Sequence, residues 1–261
     1  MKDIRKILII FISITLFVSV CVGVISSEYQ KAYVNTFTPQ INNTEETMNE
    51  FFRQEDPTPT PEVAAIEEEK VYDGVVYLTF DDGPVPAITS QILDTLKEYN
   101  VKATFFMIGS YAKNNPDMVK RVFDEGHTVA SHSYTHQKSM FNSLEAFKKE
   151  INDSVATLEE ITGEKVKFFR IPYGTSLGKS YKDFLDEKGL TIVKWNCESY
   201  DSRTATKTAE QILDGVKNTK PAKGDVVVIM HDTYGKQKTA DALPSVIEYF
   251  QSINYEFKRF E

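Results

Sequence analysis

The chain has 261 residues, 41% hydrophobic and 12% aromatic, enough for one large domain or two small ones around a packed core. A formal net charge of -8 excludes nucleic acid as the main partner, because neutralising phosphates requires clustered Lys and Arg. The two cysteines, Cys21 and Cys197, stand in different segments, so the globular part has no internal disulfide and must hold by burial alone.

Lys2, Arg5 and Lys6 precede 19 uncharged residues, Ile7 to Ile25. At about 1.5 Å per residue, such a run spans a bilayer. It exceeds the roughly 7–15 apolar residues of a cleaved leader, and a small-x-small site is poorly met around Val24 to Ser26. Residues 1–25 therefore read as a single-pass transmembrane signal anchor, basic end inside and the bulk of the chain outside. A cleaved signal peptide and a secreted product is the alternative. Residues 26–70 carry 10 acidic and 3 basic side chains, and include Asp56-Pro57-Thr58-Pro59-Thr60-Pro61. That composition predicts an extended, acidic Pro/Thr-containing linker.

From residue 71 to 261, short apolar runs alternate with helical periods, the pattern of an α/β fold. Strands are expected at Val75 to Phe80, Ala103 to Ile108, Thr128 to Ser131, Lys167 to Arg170, Thr191 to Lys194, Asp225 to Met230 and Glu256 to Phe260. Between them, Ile88, Ile92 and Leu96 mark a first helix, and Asn115-Pro116 opens a second that Gly126 closes. The longest helix runs from about Ser143 to Thr162, with Leu144, Phe147, Ile151, Val155 and Leu158 on one stripe and Gly163 as its stop. Later helices are expected over roughly 180–188, 207–217 and 240–252. Seven such units favour an irregular (β/α) barrel of about seven strands over a doubly wound open sheet.

Chemistry-bearing residues fall at the ends of these strands. Asp81-Asp82-Gly83-Pro84 forms a tight acidic turn after the first. His132 and His136, in His132-Ser133-Tyr134-Thr135-His136, follow the third, a spacing that lets two imidazoles share one ion. With one carboxylate, from Asp81 or Asp82, they make a two-His, one-Asp set with open positions, as catalytic zinc requires. Arg170 follows the fourth strand and can pair with a carboxylate. The apolar run Val226 to Met230 delivers His231-Asp232. His127, behind Gly126, reads as structural, and Cys197 as a small core residue.

These motifs, Thr79 to Pro84 (TFDDGP), His132 to His136 (HSYTH), Arg170 to Gly174 (RIPYG) and Ile229 to Asp232 (IMHD), resemble, in that order, those of the polysaccharide deacetylases. This is carbohydrate esterase family 4, which shares the NodB homology domain. The resemblance covers about residues 70–261. It implies a deformed barrel and metal-dependent removal of N-acetyl, or sometimes O-acetyl, groups from an acetylated glycan such as peptidoglycan. It also implies roles by motif position. Asp82, His132 and His136 would bind a divalent metal, Zn²⁺ first, with Co²⁺, Mn²⁺ or Ni²⁺ as substitutes. Asp81 would be the general base, steadied by Arg170, and the backbone N–H of Tyr173 would stabilise the oxyanion. His231 would be the acid that protonates the leaving amine.

One motif departs from the family pattern of Asp-x-x-Asp-Trp. Here Glu198 and Asp201 take the acidic positions and Ser202 stands where the tryptophan would be. Asp201 can still support His231, while the missing aromatic bears on how buried that pair is. Trp195, Tyr200 and Tyr234 are candidates for stacking on sugar in its place. Competing readings are an O-acetyl esterase, a mononuclear iron oxygenase using the same two-His, one-carboxylate set, and a glycan-binding domain that has lost catalysis.

Overall fold

The computed structural model describes residues 71–203 and 208–261. The expected anchor over 1–25 and linker over 26–70 lie outside the described residues. Among the described residues no helix is long and apolar enough to cross a membrane.

Among the described residues, eight parallel strands form one sheet: β1 (Gly74–Asp81), β2 (Thr104–Met107), β3 (Thr128–Ser131), β4 (Phe168–Phe169), β5 (Thr191–Ile192), β6 (Cys197–Glu198), β7 (Val226–His231) and β8 (Tyr255–Lys258). Their spatial order is β5-β4-β3-β2-β1-β7-β6, with β8 pairing onto the first half of β1. The helices are α1 (Pro86–Glu98), α2 (Gly109–Asn114), α3 (Pro116–Asp124), α4 (Leu144–Thr162), α5 (Lys179–Glu187), α6 (Ala209–Thr219) and α7 (Gln237–Ser252). The expected seven-unit parallel architecture is present, and one strand was not anticipated. β6 is two residues long and its sequence, Cys197-Glu198, carries no run of apolar or β-branched residues. It forms because β7 offers it an edge, with Cys197 opposite Val228 and Glu198 opposite Ile229. The expected strand over Thr191 to Lys194 is shorter, at Thr191–Ile192, and the last strand lies earlier, at Tyr255–Lys258.

Local sequence explains the helix limits. Ser143 caps α4, its Oγ accepting from the Ala146 N–H at 3.1 Å, and Gly163 ends the helix in the left-handed region at φ 73°. Phe147, Ile151, Ser154 and Leu158 face inward from it at helical spacing. α6 opens on a capping box in which Thr208 and Gln211 satisfy each other's backbone N–H groups. α1 and α3 both begin with proline, where no intrahelical donor is lost.

Strand alternation divides the core in two. On β1, Val76, Leu78 and Phe80 point outward into the large cluster shared with the helices, as do Val226, Val228 and Met230 on β7. The opposite face encloses a smaller interior of Phe106, Ala130, Phe168 and Val193, with Val227 and Phe260 packed against it. Tyr77 stacks on Phe260 with ring centroids 4.5 Å apart. In a flat sheet β4 and β1 would lie three strand spacings, roughly 14 Å, apart. Arg170, just past β4, nevertheless reaches Asp81 on β1 at 2.8 Å, so the sheet is curled with its inner face closed on itself. No pairing joins β5 to β6, and the curl stays open along that seam.

Phe147 ties α4 to its surroundings, with ring contacts to Phe141, Phe169, Tyr181 and Phe184 at 5.0–6.3 Å. Phe147→Ala is expected to cost about 3–5 kcal/mol of stability, read as a lower denaturant midpoint at unchanged m-value.

Candidate active site

The inner face supplies the site by simple continuation of the strand period. Thr79 faces inward on β1 and Asp81 is two residues on; Ala130 leads to His132, Phe168 to Arg170, and Ile229 to His231. Asp81, His132, Arg170 and His231 thus occupy the next inward positions at the carboxyl ends of their strands, and Asp82, His136, Tyr173 and Asp201 come from the turns and loops beside them. All the site residues expected from the sequence are brought to this one end.

Asp81 and Arg170 form a buried ion pair, both under 3% exposed. The guanidinium donates through Nη1 to Asp81 Oδ1 at 2.8 Å and to Thr79 Oγ1 at 2.7 Å, and through Nε to the Val193 carbonyl at 3.3 Å. It lies 4.1 Å above the Phe106 ring. Burial pushes the Asp81 carboxyl above its ordinary range, while the Arg170 guanidinium and then His231 pull it back. A carboxylate so placed is charged by its partner yet more basic than one in water, which suits it to accept a proton.

Beside it, Asp82, His132 and His136 offer three ligand atoms that lie within 4.8 Å of one another. Asp82 takes a left-handed backbone at φ 71°, and both acids approach His132 Nε2, Asp82 Oδ1 at 3.4 Å and Asp81 Oδ2 at 3.9 Å. Both His132 Nε2 and His136 Nε2 are 3.4 Å from Asp82 Oδ1. His132 Nδ1 is 2.8 Å from the Arg170 carbonyl, which can only accept, so Nδ1 carries the proton and Nε2 presents a lone pair. Burial holds the His132 imidazole neutral, its pKa down at about 3. A bare lone pair therefore faces a buried carboxylate oxygen that has no hydrogen-bond partner. Such an arrangement is repulsive unless a cation stands between, and the nitrogen and oxygen donors fit a divalent metal with open positions.

His231 lies in register with Asp81 across β1 and β7. Its Nδ1 is 2.7 Å from Asp201 Oδ1, and its backbone N–H donates to Asp201 Oδ2 at 2.8 Å. Burial lowers the affinity of His231 for its proton, but the hydrogen bond and charge of Asp201, then Asp81 and Asp82, overcome it and raise the pKa to about 9. The imidazolium is thus the form present at neutral pH. Despite Ser202, Asp201 is only 3% exposed. α7 covers it instead, with Thr239 Oγ1 donating to Asp201 Oδ2 at 2.8 Å and Lys236 Nζ to its carbonyl at 2.8 Å.

Tyr173 adopts φ 62°, donates its hydroxyl to the His136 carbonyl at 2.6 Å and lies 52% exposed over the site. The other aromatics separate. Trp195 packs over Gly174 and lines, with Arg170, Leu177 and Ile192, a cavity of about 620 Å³ next to the β5–β6 seam. Tyr200 lies under the Arg203 guanidinium, and Tyr234 is 71% exposed, edge-on to Tyr111. His127 is structural as expected, its Nδ1 accepting from the Ala103 N–H at 3.1 Å, and Cys197 is in the core.

Several residues that act through others were not apparent from the sequence: Thr79 on Arg170, Thr239 on Asp201, Glu150 under the histidine loop and Asp232 under the acidic turn. Asp232 Oδ2 accepts from Thr89 Oγ1 at 2.7 Å, and burial, against that bond, pushes its carboxyl up to about 7. A Cβ on Gly83 would lie 2.1 Å from that oxygen, so only glycine fits there. In the sequence, the signal for Asp232 is an acid standing directly behind the apolar run Val226 to Met230 and His231.

Fold and site together define an α/β protein in which a buried Asp–Arg pair, an Asp–His–His set that could hold a cation and a His–Asp pair converge at the carboxyl ends of parallel strands. The polysaccharide deacetylase family model matches residues 68–193, and the chain belongs to that family. A peptidoglycan-N-acetylglucosamine deacetylase of Bacillus cereus is 34% identical over 192 residues, covering 71% of this chain and 69% of the relative. The peptidoglycan-N-acetylglucosamine deacetylase of Listeria monocytogenes is 36% identical over 184 residues, which are 70% of this chain and 37% of that protein, so only about a third of the relative's length is represented. A crystal structure of a polysaccharide deacetylase from Bacillus cereus superposes with TM-score 0.66 at 33% identity, covering 72% of this chain and 92% of that one.

Two outcomes are expected. Asp201→Asn removes the largest stabilisation of the imidazolium, so the His231 pKa should fall from about 9 toward neutrality, and any activity needing that proton should lose its alkaline limb at correspondingly lower pH; the ring titration by NMR and the pH–rate profile read both. Arg170→Met leaves Asp81 buried without its paired guanidinium and should cost about 3–5 kcal/mol, with part recovered in the Arg170→Met/Asp81→Asn double variant, as measured by chemical denaturation.

Proposed function

We propose that the chain removes acetyl groups from an N-acetylated glycan, with peptidoglycan or a related polysaccharide as the substrate polymer. The observation that carries this reading is the convergence on one strand-end face of three sets: Asp81 with Arg170, Asp82 with His132 and His136, and His231 with Asp201. An iron oxygenase would use the three ligands and leave the other two sets idle. A binding domain without catalysis would have no use for a histidine held protonated by a buried aspartate.

When bound at Asp82, His132 and His136, a divalent cation, Zn²⁺ in this proposal, supplies Lewis acidity that acidifies water and polarises an amide carbonyl. Asp81, kept ionised by Arg170 and raised in basicity by burial, takes the proton of the attacking water. The Tyr173 N–H, at the turn beside His136, donates to the oxyanion of the tetrahedral intermediate. His231 then gives its proton to the departing sugar nitrogen, which leaves poorly as an anion. Asp201 holds the imidazole in place and takes up its remaining N–H.

We place this activity at the outer face of a cell membrane, supported by the basic start of the sequence and the 19 uncharged residues after it.

The test is acetate release from N-acetylglucosamine oligomers and cell-wall glycan by the full chain loaded with Zn²⁺, set against O-acetylated xylan. Asp81→Asn should keep the metal and lower turnover by about 10²–10⁴-fold, whereas Asp82→Ala should lose metal affinity. Equal metal loss in both variants refutes the division between the two acids, and release from xylan alone would assign the O-acetyl alternative.

A further inference from the structure

We propose that Glu150, which is not among the cation-binding residues, is the positioning residue that pre-forms the loop from His132 to His136 for its cation. The proposal rests on the reading of Asp82, His132 and His136 as a cation site.

The loop is conformationally unfavourable. Ser133 and His136 both take left-handed backbone, at φ 68° and 56°, a region that side chains other than glycine avoid. The reason lies in where two imidazoles must point: the chain has to reverse twice within five residues to return His136 beside His132, with ring centroids 4.9 Å apart. Something outside the loop must hold this shape.

The backbone polar groups show what does. The Ser133 and Tyr134 carbonyls accept from the first two N–H groups of α2, those of Gly109 and Ser110, each at 2.9 Å. The His136 N–H donates to Ser133 Oγ at 3.1 Å. The two N–H groups between, those of Tyr134 and Thr135, both donate to Glu150 Oε2, at 3.0 and 2.7 Å, and Thr135 Oγ1 donates to Oε1 at 2.7 Å. One carboxylate thus accepts three bonds from two consecutive residues, a charge-assisted set of the strong kind. Glu150 projects from α4, and α4 is fixed under the loop in turn. Ser154 Oγ lies 2.8 Å from Ser131 Oγ, and the Ser154 backbone so closely approaches Gly109 that a Cβ there would be 2.9 Å from Ser154 Cα. With its oxygens turned to the loop, Glu150 stands outside the group of three ligand atoms. Its contribution to the cation is indirect: it holds the backbone that aims His136.

The experiment measures Zn²⁺ affinity of the metal-stripped full chain by titration against a competing chelator, for wild type, Glu150→Ala and Glu150→Gln. Glu150→Ala should weaken Zn²⁺ binding by about 10–100-fold, and Glu150→Gln, whose amide oxygen still accepts, should recover most of it. Hydrogen–deuterium exchange of the segment 132–137 in metal-free wild type supplies a second readout, independent of whether the alanine variant folds; its amides should already be protected. Unchanged affinity in Glu150→Ala overturns the proposal. So does a metal-free wild-type loop that exchanges freely and gains protection only when Zn²⁺ is added. Zn²⁺ binding without acetate release counts against the deacetylase reading alone, and the affinity comparison still decides the role of Glu150.

Discussion

The buried pair between Arg170 and Asp81 is the interaction on which the rest of the site depends. A guanidinium and a carboxylate removed from water are costly unless every remaining donor and acceptor is met. Here Thr79 Oγ1 accepts from Nη1, the Val193 carbonyl accepts from Nε and the ring of Phe106 lies against the guanidinium face, while Nη2 is buried without a hydrogen-bond partner. The same residue, through its carbonyl, fixes the tautomer of His132. Arg170 thereby sets both the charge of the proposed base and the lone pair of a proposed ligand, from strands that a flat sheet would keep apart. The curl of the sheet is what lets this one side chain reach across to Asp81.

Much of this was legible because the inner face obeys period two. Once β1, β3, β4 and β7 are placed, Asp81, His132, Arg170 and His231 must share a face, and the four motifs carry enough specificity to name a family. Local rules likewise place α4 from about Ser143 to Thr162 with Gly163 as its stop, and the structure adds Ser143 as its cap. What escaped reading has common physical causes. β6 is a strand because of the neighbour it meets, and two residues hold no period. The left-handed backbones of Ser133 and Tyr173 fall on residue types that rarely adopt that region, so residue type gave no sign of them. Glu150 lies on the inward side of α4, one residue from Ile151 and one turn from Ser154. An acid beside an apolar stripe was a visible sign of a tertiary partner, but not of which one. Ser202 leaves the burial of Asp201 open in the sequence, and Lys236 and Thr239, 35 and 38 residues later, close over it.

The placement of β1 has a consequence for how the chain acquires its activity. β1 is the first described strand, yet it pairs with β7 and β8, which begin at Val226 and Tyr255. Those pairings join residues some 150–180 positions apart, and such non-local contacts form late and slowly. During synthesis, the acidic turn after β1 emerges long before His231 exists to stand beside it. Until then β1 has only β2 beside it, paired at Thr79 to Asp81, and the edge that β7 will cover stays open, the kind of exposed edge that invites association with other chains. Competence and protection against aggregation arrive together, when the last strands dock.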